Sequence, residues 1–350
     1  MKLHHIGLFH TISSLEYSHC AFTGKALRFP KIVKGLAQLI EYSNEGSESL
    51  ADIKIVLIRK TEFDAIKDKT HTIGSPIHKL FESRLIEAMK RYVKPEDIIC
   101  HPFGKSHECL LTIFPNNIHL ETGIGYPDPM EKTFKCFESY AWMHSLFGNK
   151  SNSYPGYYNY VVPSVVDLDD WDICLKPQNY IAFLGRVCKD KGIDIIKSIA
   201  ENTDYKIKIC GKVFEDSLDQ WKHPNIEFIE PISGRQRSEF LGNAFCCLMP
   251  TRFIEPFGNT AIEAMSCGTP VISVDYGAFT ETIIDGVTGY RCHSLKDWID
   301  NIEKSRELNR FQVADITRSR YNLSVARKLY EKIFKDLVNL KTEYSSSLLK

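Results

Sequence analysis

Short apolar runs alternate with longer amphipathic segments along this chain, and that alternation limits the folds open to it. The order is most regular in the second half. Parallel strands need a crossover, usually a helix, so this order favours parallel α/β layers. Strands are predicted at 3–9, 53–58, 98–100, 110–114, 180–184, 206–210, 226–229, 245–249 and 271–274, and helices at 25–42, 76–93, 130–147, 193–201 and 233–243.

The pattern occurs twice, which indicates two Rossmann-like domains. A length of 350 residues is ample for two cores, and the acidic stretch 167–172 separates the halves. The predicted N-terminal domain covers 1–168 and the second covers 169–322. Residues 323–350 begin with an amphipathic helical stripe. This last helix would either pack back on the first domain or complete the second.

Composition excludes several classes of protein. Lysine plus arginine equals aspartate plus glutamate, 44 against 44, so no basic surplus indicates nucleic acid. The eleven cysteines contain no CxxC pair, which favours reduced thiols. The polar first residues and the absence of a long apolar stretch predict a soluble cytoplasmic protein. The basic amphipathic segment 79–94 leaves a peripheral membrane contact as an alternative to an ordinary surface helix.

Two glutamates, Glu255 and Glu263, stand eight positions apart around a predicted helix start at Gly258. A helix start offers free backbone N–H groups and the positive end of a dipole, which suits a diphosphate. Carboxylates accept hydrogen bonds from hydroxyl groups. The spacing therefore predicts that the two glutamates reach opposite ends of a nucleotide sugar.

A second group of charges, Arg186 and Lys191, lies in segment 185–192 between a strand and a helix. Ligands of doubly wound sheets bind at the carboxyl ends of strands, so both cations would point into that crevice. They would neutralise a departing diphosphate. A solvated loop with ordinary surface cations is the alternative.

These motifs, together with 281–290, resemble family 4 retaining glycosyltransferases of the GT-B fold. The likeness is specific over about 180–293. It implies an α/β chain whose two Rossmann-like domains have parallel sheets that face each other across a cleft. It implies a nucleotide-diphosphate sugar donor, UDP- or GDP-linked, on the second domain, and a glycan or lipid-linked acceptor on the first. No cofactor or metal is expected.

The resemblance also implies roles for single residues. Arg186 and Lys191 would bind the diphosphate, Glu255 the donor-sugar hydroxyls and Glu263 the ribose. The remaining donor-binding residues implied are Gly185, Phe257, Gly258, Asn259, Thr260, Gly211, Lys212 and Ile232, the last three near the base.

The first domain departs from the commonest family pattern, which has paired glycines after the first strand. Residues 19–25 contain one glycine only. Gly24 is expected to open a helix and offer N–H groups to phosphate, next to Thr23, and Lys25 would add a charge.

Family members also often carry a histidine beside the reacting carbon, and two residues compete for that place here. His119 and Glu121 share one strand face, so both would point toward the cleft. Glu121 is favoured because Gly123 and Gly125 behind it leave room for a ligand.

Two further patterns are interpreted as structural. Residues 167–169 read Asp-Leu-Asp, a metal-binding pattern in sugar transferases of another fold, but they lie in the predicted linker. His101 and His107 lie near Cys100 and Cys109, but the spacing is too wide for zinc, so loop and core roles are expected.

The sequence thus predicts a metal-independent retaining glycosyltransferase of glycan biosynthesis, in which the leaving diphosphate accepts the proton of the incoming hydroxyl. Two alternatives remain: a nucleotide-sugar epimerase of the same fold, and a non-catalytic module that binds nucleotide sugars or glycans. A redox Rossmann enzyme is disfavoured because no GxGxxG follows the first strand.

Overall fold

The computed structural model describes residues 1–17, 20–66, 72–150, 157–214 and 218–347, so residue 19 of the predicted glycine loop lies outside it. The strands are β1 (Lys2–Ile6), β2 (Gln38–Ser43), β3 (Ile53–Val56), β4 (Ile98–His101), β5 (Ile118–Ile124), β6 (Phe134–Phe137), β7 (Asn159–Val161), β8 (Ile181–Leu184), β9 (Ile207–Cys210), β10 (Ile226–Ile229), β11 (Cys246–Met249), β12 (Val271–Val274) and β13 (Gly289–Cys292). The α-helices are α1 (Ala21–Val33), α2 (Lys60–Ile66), α3 (Pro76–Tyr92), α4 (Leu110–Ile113), α5 (Tyr140–Asn149), α6 (Ile193–Glu201), α7 (Arg235–Asn243), α8 (Asn259–Ser266), α9 (Phe279–Thr282), α10 (Leu295–Lys304), α11 (Arg310–Arg320) and α12 (Leu323–Ser347).

The chain divides into two compact units. The first comprises Met1–Glu138, Asn152–Val162 and Leu323–Lys350, and the second comprises Ser139–Ser151 and Pro163–Asn322. Each unit contains one sheet with helices around it, as expected for two Rossmann-like domains.

The first unit has a seven-stranded sheet in the order β3-β2-β1-β4-β5-β6-β7, and its strand pairs are parallel. Apolar residues on both faces of β1, β2 and β4 are buried, as helices on each side of a parallel sheet require. The strand order reverses between β1 and β4, which is the topological switch point of this unit.

The second unit has a six-stranded parallel sheet in the order β10-β9-β8-β11-β12-β13. Its switch point lies between β8 and β11, which are direct neighbours. The segments that follow these two strands, 185–192 and 250–258, carry the charged motifs. Ligands of doubly wound sheets bind at this position.

α12 belongs to the first unit, where it packs on α1. The rings of Tyr330 and Phe29 meet edge to face with centroids 5.3 Å apart. Arg327 Nη1 donates to the Ile32 carbonyl at 3.2 Å. The chain therefore returns to its first unit after completing the second.

The predicted helix 25–42 is wrong over its second half. α1 ends at Val33, Gly35 adopts a left-handed φ of +76°, and β2 follows. Leu39 and Ile40 are both buried, because β2 is an inner strand covered on both faces. A run of apolar residues that is buried on two sides has no periodicity that separates strand from helix.

Two other segments also differ from the prediction. Residues 110–114, predicted as a strand, form the short helix α4. The predicted helix 130–147 is split into β6 and α5. Ser139 separates them, because its side chain accepts a hydrogen bond from the Trp142 amide and caps α5.

Candidate functional site

The backbone brings the end of β8 into contact with the end of β9. Gly211 has a φ of +155°, and a Cβ at this position would lie 1.8 Å from the Gly185 carbonyl oxygen. The contact continues beyond it, since the Val187 amide donates to the Lys212 carbonyl at 2.9 Å. Only glycine allows this approach, so Gly185, Gly211 and Lys212, all predicted site residues, form one backbone surface.

Lys191 and Glu255 form an ion pair at the switch point. Lys191 Nζ lies 2.6 Å from Glu255 Oε2, and the two side chains are 15 % and 14 % exposed. Thr251 Oγ1 donates to the same carboxylate oxygen at 3.4 Å, and Lys191 Nζ lies 4.6 Å from the ring centre of Phe253. Lys191 and Glu255, which were predicted to bind different parts of the donor, thus contact each other directly in this structure.

The start of α8 lies directly after Glu255. Gly258 caps the helix with a φ of +83°, and a Cβ there would come within 2.6 Å of the Phe279 ring. The first N–H groups of a helix have no partner inside it. Asn259 and Thr260 supply the first two and are half-buried. The predicted helix start at Gly258 is confirmed, whereas its role as a cradle for negative charge stays a prediction.

Phe257 anchors this turn rather than lining it. Its side chain is buried, and its ring meets Tyr321 edge to face with centroids 5.6 Å apart. We expect its side chain to hold the loop in place while its backbone faces the ligand.

Arg186 has different contacts from those of the Lys191–Glu255 pair. Its guanidinium carbon is 5.8 Å from the ring centre of Phe214, and Lys212 Nζ is 5.5 Å from the same ring. Phe214 is 56 % exposed, so much of its ring is open. Two cations beside an open ring suit a ligand that has both a planar base and phosphates.

Glu263 is buried and paired with Arg237 of α7. A buried carboxylate needs such a partner, but none was assigned from the sequence. The sequence feature that could have suggested this partner is the predicted helix 233–243, whose basic residues follow the loop that holds Ile232. Ile232 is half-buried, and its amide contacts the thiol of Cys210, whose pKa is raised by burial.

The loop that holds Glu255 also forms a hydrogen bond with the start of α5. Ser139 Oγ donates to the Pro256 carbonyl at 2.7 Å. The carboxylate of Glu281 accepts hydrogen bonds from the Tyr140 amide at 3.1 Å and the Ala141 amide at 2.7 Å. Glu281 therefore has a structural contact, stabilising the start of α5 next to the loop that holds Glu255.

Glu121 is not available to a ligand in this structure, which corrects its predicted place beside the reacting carbon. It is 0 % exposed. Its carboxylate accepts hydrogen bonds from Tyr126 Oη at 2.9 Å, Thr133 Oγ1 at 2.6 Å and the Met130 amide at 3.0 Å. Burial raises the pKa of Glu121, although these hydrogen bonds act to lower it. Its oxygens organise loop 126–133.

His119, the competing residue, is also engaged within the first unit. Its Nδ1 lies 2.9 Å from His101 Nε2, and its Nε2 lies 2.9 Å from the Phe114 carbonyl oxygen. Burial lowers the pKa of both histidines, so they are neutral near pH 7. The two rings form a buried pair, which confirms the core role expected for His101.

The predicted phosphate loop of the first unit also needs correction. Gly24 lies inside α1, which begins at Ala21, and its amide donates to the Cys20 carbonyl at 3.0 Å. That N–H is therefore not open to a phosphate. Thr23 is fully buried, with its hydroxyl 3.4 Å from that of Thr11.

The charge of Lys25 is compensated by an ion pair with Glu138. Its Nζ lies 2.9 Å from Glu138 Oε1 and donates to the Gly123 carbonyl at 3.2 Å. A Cβ at Gly125 would lie 2.1 Å from Glu138 Oε2. The glycines that appeared to leave room for a ligand thus make room for this ion pair.

The Asp-Leu-Asp pattern is structural at its first residue. The side chain of Asp167 accepts a hydrogen bond from the Asp169 amide at 3.4 Å and caps a short 3₁₀ turn. This agrees with the linker role predicted for it.

Comparison with known families identifies the part of the chain that carries the charged motifs. Residues 173–333, just under half of the chain, match the family described as glycosyl transferases group 1. Arg186, Lys191, Glu255 and Glu263 all lie in this range.

Curated relatives match part of the chain. An alpha-1,3/1,6-mannosyltransferase of Dictyostelium discoideum is 33% identical over 130 residues, which cover 37% of this chain and 28% of that protein. A D-inositol 3-phosphate glycosyltransferase of Paenarthrobacter aurescens is 30% identical over 152 residues, covering 37% and 36%. The chain thus spans well under half the length of these relatives.

Solved structures resemble the whole chain. AviGT4, a glycosyltransferase involved in avilamycin A biosynthesis, has a TM-score of 0.73 at 13% identity and covers 97% of this chain and 98% of its own. HepE of Anabaena, solved in complex with UDP-glucose, has a TM-score of 0.67 at 13% identity and covers 97% and 100%. The fold is therefore GT-B. Among the described residues, no helix combines the length and apolar character needed to cross a bilayer.

Proposed function

We propose that this protein is a retaining glycosyltransferase, because residues 173–333 match the family described as glycosyl transferases group 1 and the chain has the GT-B fold. It moves a sugar from a nucleotide diphosphate to a hydroxyl group of a glycan or lipid-linked acceptor. The observation that carries the proposal is the Lys191–Glu255 pair, located at the sheet's switch point just before the start of α8.

The diphosphate is assigned to Lys191, Arg186 and the first amides of α8. A cation and a helix start on the same side of a sheet create a positive potential without any metal. Glu255 holds Lys191 in place and offers its carboxylate to hydroxyl groups of the donor sugar. When the diphosphate binds, it supplies a second partner to Lys191.

The nucleoside is assigned to the neighbouring loops. Glu263 accepts a hydrogen bond from Arg237 at one carboxylate oxygen, and its remaining acceptor sites can bind ribose hydroxyls. Gly211, Lys212 and Ile232 line the base, and the open ring of Phe214 adds a stacking surface. The complex of HepE with UDP-glucose favours a uridine donor.

The chemistry follows from this distribution of charge. The bond between the anomeric carbon and the diphosphate oxygen breaks, and the acceptor hydroxyl forms the new bond on the same face. Its proton passes to the departing diphosphate oxygen. Fixed positive groups stabilise the charge that develops on that oxygen, each contributing on the order of 3 kcal/mol. No metal takes part in this scheme.

Donor binding is expected to be visible as thermal stabilisation. In a panel of UDP-, GDP-, ADP- and dTDP-sugars, the correct donor at a hundred times its Kd should stabilise the fold by about 2.7 kcal/mol. UDP should stabilise more than UMP at equal concentration, because only UDP reaches both the cations and the helix start. Equal effects of UMP and UDP would contradict the assignment of the diphosphate.

Glu121→Gln is expected to lower the free energy of unfolding by about 1–3 kcal/mol, because an amide cannot accept all the hydrogen bonds the carboxylate accepts. Turnover per folded molecule should stay near that of the wild type. Urea unfolding and initial rates measure the two effects. Glu87→Gln is the control, since Glu87 is an exposed residue that pairs with Arg91. A large fall in turnover at unchanged stability would restore a catalytic role.

A nucleotide-sugar epimerase is the second candidate. It would convert the donor without an acceptor, so incubating enzyme and donor alone and analysing the sugar separates the two functions. A non-catalytic module would bind the donor in the thermal assay but release no nucleoside diphosphate with any acceptor.

A further inference from the structure

A cluster of side chains of types that can bind metals lies in the first unit, and none of its residues is among those assigned to the donor. His78 and Glu82 are one turn apart on α3 and so share a face. One ligand atom from each of His78, Glu82 and His107 lies within 4.8 Å of the other two. Cys109 adds a thiol, whose Sγ lies 3.1 Å from Glu82 Oε1.

His107 is the residue of this cluster whose ring nitrogens are buried without a hydrogen bond to any described residue. It is 3 % exposed, and within the described parts of the chain neither ring nitrogen has a hydrogen-bond partner. The nearest acceptor, Glu82 Oε1, is 3.6 Å from Nδ1. The ring stacks parallel to His78 at 5.3 Å between centroids. A buried imidazole without a partner is costly, and a bound cation would remove that cost.

His78 differs from the other three because both its nitrogens have backbone partners. Its Nε2 lies 2.5 Å from the Ser106 carbonyl oxygen, and its Nδ1 accepts from the Gly74 amide at 3.1 Å. An ion that takes His78 as a ligand displaces one of these contacts, and the other keeps the ring oriented. Metal-bound histidines usually have such an outer partner.

We propose that His107, Glu82, Cys109 and His78 bind one Zn²⁺ ion in a closed structural site that ties α3 to segment 104–110. Nitrogen, sulfur and a single carboxylate are ligands that Zn²⁺ accepts and that Mg²⁺ and Ca²⁺ disfavour. The residues of this site are not among those assigned to the donor.

Spacing along the sequence concealed this site. His107 has only Cys109 as a further candidate ligand in its own segment, and His101, the nearest histidine, pairs with His119. Its partners come from α3, about one turn apart, where Glu82 reads as an ordinary surface residue of an amphipathic helix. The sequence offered a His-x₃-Glu pair and a His-x-Cys pair without linking them.

The test is metal binding by the full chain. Protein stripped with a chelator is titrated with Zn²⁺, and bound metal is measured after gel filtration. About one ion per chain should be retained, and the melting temperature should rise. Co²⁺ in place of Zn²⁺ should give a thiolate-to-cobalt absorption band, because Cys109 is a ligand.

Matched variants decide the outcome. Cys109→Ser should abolish the cobalt band and weaken Zn²⁺ binding at least tenfold, whereas Cys20→Ser, at another half-buried cysteine of the first unit, should change neither. Glu82→Gln provides a second ligand test if His107→Gln does not fold. Wild-type protein that retains no stoichiometric zinc, or Cys109→Ser and Glu82→Gln proteins that bind it as tightly as the wild type, would overturn the proposal.

Discussion

Replacing Lys191 by alanine is expected to slow sugar transfer by at least about a hundredfold, because one well-placed cation on a departing oxygen is worth several kcal/mol. The variant also leaves the carboxylate of Glu255, only 14 % exposed, without its partner. That uncompensated negative charge would repel the diphosphate, so donor affinity should fall together with turnover. Initial rates at several donor concentrations measure both effects.

The matched control is Lys189→Ala, an exposed lysine on the same short 3₁₀ turn. Its rate should stay within a few-fold of the wild type. Glu255→Gln combined with Lys191→Ala should lose less than the two single losses together, with a coupling of about 0.5–3 kcal/mol. Strict additivity of the two losses, or a near-normal rate for Lys191→Ala, would refute the role of the pair.

Gly211→Ala is expected to destabilise the second unit by about 3 kcal/mol or more. The new Cβ would meet the Gly185 carbonyl oxygen at 1.8 Å, and the left-handed φ adds strain. The two loops must separate, which moves Arg186 away from Phe214. Donor binding should therefore weaken even at temperatures where the protein remains folded. Urea unfolding and the thermal panel measure both results.

Gly148→Ala is the control for this substitution. Gly148 lies inside α5, and a Cβ there meets nothing within 4 Å among the described residues. Alanine should be neutral or should stabilise the helix by about 0.5–1 kcal/mol. If Gly211→Ala behaved in the same way, the loops would not depend on this approach.

Much of the second unit could be predicted from local pattern. The apolar periodicity placed α6 and β10 at their observed bounds, and the residues around Gly258 indicated the start of α8. These elements are short, regular and ended by glycine or polar residues. The information that defines them lies within a few neighbouring positions.

The first unit was harder because its inner strands are buried on both faces. Residues 39–43 of β2 are buried whether they are apolar or polar, so their pattern did not separate β2 from the end of α1. β6 was predicted as part of the aromatic-rich helix 130–147 for the same reason. In both cases the neighbouring strands, which are distant in sequence, decided the outcome.

The sequence by itself determined the α/β class, the two-unit repeat and the identity of the charged residues, because periodicity and residue chemistry are local. Only the tertiary structure decided which charges meet. It paired Lys191 with Glu255, 64 positions away, and Arg237 with Glu263, 26 positions away. It also buried Glu121 among the hydrogen-bond donors of loop 126–133 and placed His107 beside α3. Such contacts depend on how strands are ordered in the sheet, and spacing along a chain does not specify that order.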